Sequence, residues 1–365
     1  MKVVTVVGTR PEIIKLSRVM AALDSAVDHK IIHTGQNYDY ELNKVFFDEM
    51  SIRKPDYQLD HEPSTFSESI GDMMVGLEER LRALDPDALL ILGDTNSCVA
   101  AAYVAKRLKI PLFHMEAGNR CFDERVPEEV NRRIVDTLSD INMPYSDLAR
   151  ENLMREGFPT DRVIKTGSPM NEVLGHYQID IWASKVLQRK GLNEKQYFVV
   201  SCHREENVDS PEKFHQLCGL LNALADKYHE RIIVSAHPRV KSKFTTWGDF
   251  RNEVEFYKPF GFFDYLKLQK HAHCTLSDSG TITEESAIEC FPALNLREAH
   301  ERPEGMEEAS VIMTGFNVAR VLESIDEAQT IMLIPDDYLS RYASNKVVRI
   351  VLSYVDYVNR KVWHK

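Results

Sequence analysis

The chain has 365 residues, 43% of them hydrophobic and 28% charged, with a net charge of −11. That length exceeds what one hydrophobic core usually serves, so two domains are expected, and an acidic balance without a Lys/Arg-rich block argues against a nucleic-acid partner. No apolar run approaches the ~18 residues a membrane span needs, and six scattered cysteines without CxxC spacing indicate reduced thiols in a cytoplasmic protein.

Taken in chain order, strands are expected at VVTVV (3–7), KIIHT (30–34), ALLILG (88–93), PLFHM (111–115), INMPY (141–145) and VIKTG (163–167). A second set follows at YFVVS (197–201), RIIVSA (231–236), EVEFY (253–257), HCTLS (273–277), PALNL (292–296) and SVIMT (310–314). Helical patterns lie between them, among others at 13–24, 96–107, 128–138, 212–228 and 282–290. Continuous apolar strands alternating with helices predict parallel sheets covered on both faces. TGSP (166–169) and a helical stretch over 171–190 separate the two sets. The reading is α/β, two doubly wound Rossmann-like domains facing a cleft, over 1–168 and 169–345. An amphipathic C-terminal helix, 346–365, is expected to pack back on the first.

In such sheets ligands bind beyond the carboxyl ends of the strands, and the polar clusters fall there. VVGTRPEIIK (6–15) joins a strand to a helix N-terminus beside Arg10, which suits a phosphate or is a plain tight turn. SDSGTITEESAI (277–288) sets Ser279 and Gly280 at a similar junction; the bland account is a Ser or Thr N-cap with Glu in the first turn. LGDTNS (92–97) ends a strand in Asp94, which would equally serve as N-cap of the helix starting near Asn96. SCHREEN (201–207) places His203 beside Arg204, and AHPR (236–239) places His237 beside Arg239.

FHMEAGNRCFDERVPEEVNRR (113–133) is the densest cluster. Glu128 and Glu129 open a helix, and dipole compensation with ion pairs to Arg120, Arg132 and Arg133 accounts for them. Glu116 is different, because a carboxylate closing a buried strand needs a partner or a task. Asp94, Glu116, Glu128 and His203 form a candidate acid/base set.

In order along residues 6–305, GTRPEIIK, GDTNS, EAG followed by PEEVNRR, SCHREEN, DSGTITEE and ERPEG resemble the non-hydrolysing UDP-N-acetylglucosamine 2-epimerases. The resemblance implies a glycosyltransferase-B fold, a homodimer, a UDP-sugar substrate, and neither cofactor nor metal. It implies that Arg10, Ser279 and Gly280 hold the diphosphate with His237 nearby, and that Glu285 holds the ribose. Lys15, Asp94, Glu116, Glu128, Arg132 and His203 match the catalytic positions, and Arg302 matches a sugar-site loop. The implied chemistry expels UDP first, because the C2 proton of an acetamido sugar is scarcely acidic until C1 becomes cationic. A base then removes it, an acid reprotonates the other face, and UDP re-adds.

Departures point to a branch. EAGNRCFDERVPEE is two residues shorter than the plain epimerase pattern, HREEN carries Glu205 where a basic residue is usual, and DSGTITEE replaces DSGGIQEE. In TGQNYDYEL (34–42), Gln36 matches the segment tied to allosteric UDP-sugar binding, whereas Asn37 and Asp39 do not. GDTNSC, HMEAGNRCFD and HERPEGMEE are similar to the 2-epimerases forming UDP-N-acetyl-L-fucosamine from UDP-2-acetamido-2,6-dideoxy-L-talose, whose 6-methyl would tolerate Cys121 and Phe122. The alternatives are UDP-N-acetylglucosamine 2-epimerase itself, an epimerase of 2,3-diacetamido uronic acids, a true glycosyltransferase, and a non-catalytic UDP-sugar sensor. A transferase would need an acceptor groove that no stretch suggests. A sensor would need Arg10, Ser279 and Glu285 but not the acid/base set.

Overall fold

The computed structural model describes residues 1–36, 46–59, 65–236, 238–330 and 334–365. The chain divides into two compact units, Met1–His176 with Asp336–Lys365, and Tyr177–Pro335. The sequence reading sets these divisions at 168/169 and 345/346.

The first unit carries β1 (Lys2–Val7), β2 (Asp28–His33), β3 (Tyr57–Gln58), β4 (Ala88–Leu92), β5 (Leu112–Met115) and β6 (Ile141–Met143). They form one sheet in the order β3-β2-β1-β4-β5-β6, every pair parallel. The second carries β7 (Tyr197–Ser201), β8 (Arg231–Ser235), β9 (Val254–Tyr257), β10 (Cys274–Ser277), β11 (Ala293–Asn295) and β12 (Ile312–Met313). Their order, β12-β11-β10-β7-β8-β9, is the same winding. The order therefore reverses between β1 and β4 in one unit and between β7 and β10 in the other. Those are the topological switch points where doubly wound sheets take ligands.

Helices cover the faces, which is why the strands are apolar throughout rather than alternating. Val4, Val6, Leu89, Ile91 and Leu112 meet Leu77, Leu81 and Ala101 from α2 (Phe66–Leu84) and α3 (Asn96–Leu108). Phe198, Val200, Ile232 and Leu276 meet Leu217, Leu221 and Leu224 of a helix over Pro211–Tyr228. The C-terminal helix, Ala343–Val358, packs on α1 (Arg10–Ala26). Its start is anchored where Glu172 accepts from Ser344 N at 2.9 Å.

Two expectations are corrected, and one strand was not expected. VIKTG is not a strand: only Val163 makes a bridge, to Asn142, because β6 is three residues long and offers little further edge. Tyr57–Gln58 takes the outer place beside β2 instead, a pairing too short to leave a sequence signal. The stretch 171–190 is not one helix but three, Met170–His176, Gln178–Ala183 and Val186–Lys190, interrupted at Tyr177 and Ser184. The break falls where the chain passes from one compact unit to the other.

Candidate active site

In the first unit the switch point is built by the turns after β1 and β4. Gly8 is obligatory, since a Cβ there would lie 2.0 Å from Ser97 Oγ and 2.3 Å from Thr34 Oγ1. Ser97 also donates through N and Oγ to Gln36 Oε1, at 2.8 and 2.7 Å. Arg10 follows at the first turn of α1, its guanidinium 5.4 Å from the centre of the Phe46 ring. One turn on, buried Lys15 places Nζ 2.6 Å from Glu116 Oε2.

Glu116 leaves β5 with φ +67°, a left-handed conformation that costs a non-glycine residue free energy. The surroundings enforce it. Glu116 N donates to Met143 O at 3.1 Å, and Gly118 N donates to the fully buried Asp136 carboxylate. Asp136 also accepts from Arg120 Nη1 at 2.7 Å and lies 3.0 Å from His114 Nδ1, while His114 Nε2 donates to Gly93 O at 2.9 Å. This buried network ties the end of β4 to the end of β5. It also takes Arg120, which pairs with Asp136 and Glu156 rather than with the carboxylates opening the next helix.

Asp94 is not the N-cap of α3. Thr95 is, its hydroxyl accepting from Cys98 N at 3.2 Å. Asp94 instead accepts from Arg132 Nε and Nη2, at 3.1 and 2.7 Å, a side-on guanidinium contact of high directionality. Arg132 lies in α4 (Pro127–Leu138) and its Nη1 reaches Glu129 Oε2 at 2.7 Å, so the one guanidinium bridges two carboxylates. Glu129 is buried, which alone would raise its pKa, but donation from Cys121 N and the Arg132 charge bring it below the ordinary value. Glu129 thus behaves as the ion-pair reading expects, with Arg133 at 3.2 Å as well. Glu128 shares the first turn of α4 and stays partly exposed.

The second unit repeats the plan at β7 and β10. Asp278 is fully buried and accepts from His203 N (3.1 Å), Arg204 N (3.0 Å) and Asn207 Nδ2 (3.1 Å). Burial opposes its ionisation, but the His203 ring, Nδ1 at 3.2 Å, and these donors prevail and hold the carboxyl at about 2. Arg204 turns back to Asp278 O (3.0 Å) and to Glu301 Oε1 (2.9 Å). One charge therefore fixes the His203–Arg204 turn against the Ser279–Gly280 turn. The helix Ile282–Glu289 has Thr281 at its N-cap and Glu284 and Glu285 in its first turn, as the capping account expects, but Thr281 makes no side-chain cap bond. Buried Glu284 pairs with Arg302 Nε at 3.1 Å, and Glu285 accepts from Gln269 Nε2 at 3.1 Å.

The structure thus couples Lys15 to Glu116, Asp94 to Arg132, and His203 to the turn holding Ser279 and Gly280. His237, and the positions Asn37 and Asp39, lie outside the described residues. Sequence reasoning missed Glu12, Asp136 and Asp278. Their signal was each an acidic residue inside or next to a strand-end motif, indistinguishable there from a cap. Among the described residues no group of three or more His, Cys, Asp or Glu side chains is placed to hold a metal ion, and no helix is long and apolar enough to cross a membrane.

A profile of the UDP-N-acetylglucosamine 2-epimerase family matches residues 21–352. The structure of a UDP-N-acetylglucosamine 2-epimerase from Rickettsia bellii is 47% identical, covers 100% of both chains and superposes with a TM-score of 0.91. The Methanocaldococcus jannaschii UDP-GlcNAc 2-epimerase, in complex with UDP-GlcNAc and UDP, is 31% identical over 97% of this chain and 100% of its own, with a TM-score of 0.90. A UDP-2,3-diacetamido-2,3-dideoxy-D-glucuronate 2-epimerase of Pseudomonas aeruginosa is 30% identical over 89% of this chain and 91% of its own.

Proposed function

Because the chain belongs to the UDP-N-acetylglucosamine 2-epimerase family and is a UDP-sugar 2-epimerase, an isomerase, we propose that it interconverts UDP-2-acetamido-2,6-dideoxy-L-talose and UDP-N-acetyl-L-fucosamine by eliminating and re-adding UDP. The observation that carries the chemistry is the pair of carboxylates at neighbouring strand ends, each against its own cation: Glu116 on Lys15 and Asp94 on Arg132. Departure of UDP leaves positive charge at C1 and acidifies the C2 proton. Asp94, Glu116 and Glu128 serve as base, acid and stabiliser of that charge, with Lys15 and Arg132 holding two of them in place. Arg10, His237, Ser279 and Gly280 receive the diphosphate, with His203 at the reacting end. Glu285 meets the ribose, and Arg302 the sugar. His203 suits its place, since Asp278 orients a ring that stays half exposed.

The 6-deoxy assignment draws on GDTNSC, HMEAGNRCFD and HERPEGMEE and on the loop after β5 that carries Cys121 and Phe122. Cys121 Sγ donates to Glu129 at 3.3 Å, and Phe122 is 72% exposed, an apolar surface of the kind a sugar methyl would meet. A second reading, UDP-N-acetylglucosamine as substrate, is favoured by the 47% identity to the Rickettsia bellii protein. Tyr103 on α3, with Val130 and Ile134 on the α4 packed beside it, leaves apolar side chains exposed and supports a homodimer through this face. All six cysteines are free thiols, in keeping with a cytoplasmic protein.

Proton NMR in D2O with UDP-N-acetyl-L-fucosamine, and separately with UDP-N-acetylglucosamine, tests the assignment. Deuterium at C2 of the fucosamine compound with a second epimer growing in is the expected result. Exchange in the glucosamine compound alone returns the enzyme to the second reading. No exchange in either overturns both.

A further inference from the structure

Glu12 is a fully buried carboxylate of α1 that no step above uses. Its Oε2 accepts from Gly8 N at 2.7 Å, Thr9 N at 2.6 Å and Thr9 Oγ1 at 3.0 Å. Its Oε1 accepts from Thr95 Oγ1 at 2.7 Å and Cys98 Sγ at 3.3 Å. One oxygen therefore serves the turn after β1 and the other the turn after β4. Arg10 is the next residue after Thr9, and Asp94 the one before Thr95. A capping box explains the Thr9 contacts but none of those at Oε1. Burial pushes the carboxyl up, and the bonds from Thr95, Gly8, Cys98 and Thr9 act against that. Two of the five donors are backbone N–H groups that cannot rotate away, so Oε2 must remain an acceptor in either protonation state. Asp278 does the equivalent at the switch point of the other sheet, which makes this a repeated solution rather than a local cap.

We propose that Glu12 is a positioning residue for epimerisation, its carboxylate setting the separation between the turn that carries Arg10 and the turn that carries Asp94. The proposal rests on the epimerase reading of those two residues. What matters is reach: the side chain must span both turns at once. Glu12→Gln keeps that reach, with the amide oxygen on the fixed N–H groups and the rotatable Thr95 hydroxyl turning to accept from the amide nitrogen. Glu12→Asp keeps the charge but is one methylene short.

The test is steady-state epimerisation by the full chain, kcat and KM read separately, with UDP affinity by calorimetry and the folded fraction by thermal unfolding. Expected are a kcat within about threefold of wild type for Glu12→Gln and a loss of at least about tenfold for Glu12→Asp, since a displacement of about 1 Å already costs rate. Thr95→Val removes the Thr95 contact to Oε1 together with the α3 cap, so its kcat is taken per folded molecule; it falls about tenfold while the Kd for UDP stays within about twofold. A purely structural Glu12 would instead lower stability with kcat per folded molecule unchanged in all three variants, which overturns the proposal. The reverse order, Gln inactive and Asp active, overturns it in favour of a charge or proton-transfer role. A wild type that exchanges no C2 proton on either UDP-sugar overturns the functional reading and this proposal together, whereas wild-type exchange with an unaffected Glu12→Asp overturns this proposal alone.

Discussion

Lys15 Nζ and Glu116 Oε2 lie 2.6 Å apart, although the two residues are 101 positions apart in the chain and Glu116 must hold φ +67° to make the contact. A left-handed glutamate is an expense, of roughly 1–3 kcal/mol, that a purely structural ion pair does not require. It turns the carboxylate out of a buried strand end and towards α1. Glu116→Gln should preserve the fold and UDP affinity while lowering kcat by about 100-fold or more, the usual scale for a group that moves protons. Calorimetry with UDP beside C2-exchange kinetics separates the two.

Arg132 holds Asp94 with two nitrogens and Glu129 with the third. A lysine has one ammonium and no fork. Arg132→Lys should therefore lower kcat by about tenfold or more with a small change in melting temperature. Arg132→Met strips the buried Glu129 of its nearest cation and should cost about 3 kcal/mol of stability, measured by urea unfolding.

Asp278 gives a pH signature. Its folded value of about 2 lies below the ordinary 3.8, so the unfolded chain binds the proton more readily. The stabilisation is complete above about pH 4, is lost as pH falls from there through 2, and amounts to roughly 2 kcal/mol. Asp278→Asn should remove most of this dependence, so wild type and variant should differ far less near pH 2 than at pH 6 in urea unfolding. The same variant should raise KM for the UDP-sugar, because the His203–Arg204 turn loses its anchor.

Tyr103 and Ile134 are 49% and 40% exposed on adjoining helices. If they line a homodimer interface, Tyr103→Glu with Ile134→Glu should convert a species of about twice the 42.0 kDa chain mass into monomer, because a charge in an apolar interface core has no partner there. Light scattering after size exclusion reads the mass directly. A wild-type monomer removes the dimer from the proposal.

The residues themselves determined a good deal. Two runs of short apolar strands broken by helices dictate parallel sheets covered on both faces, because backbone groups in a buried strand must be paired and its side chains must all be apolar. The polar clusters at strand ends marked where ligands meet such sheets. The motifs in order marked the family. What the sequence left open was the partner of each charge. Asp94 read equally well as a helix cap, and only the folded chain hands that task to Thr95 and gives Asp94 to Arg132. Arg120 was a plausible partner for the Glu128–Glu129 turn, but packing sends it to Asp136 and Glu156. Glu12 drew no notice in the sequence, and the strand order β1-β4 is what brings Thr95 against the second oxygen of its carboxylate. Periodicity and turn chemistry are local and survive in one dimension. Which carboxylate meets which cation depends on contacts between residues tens of positions apart, and the order of the strands decides those.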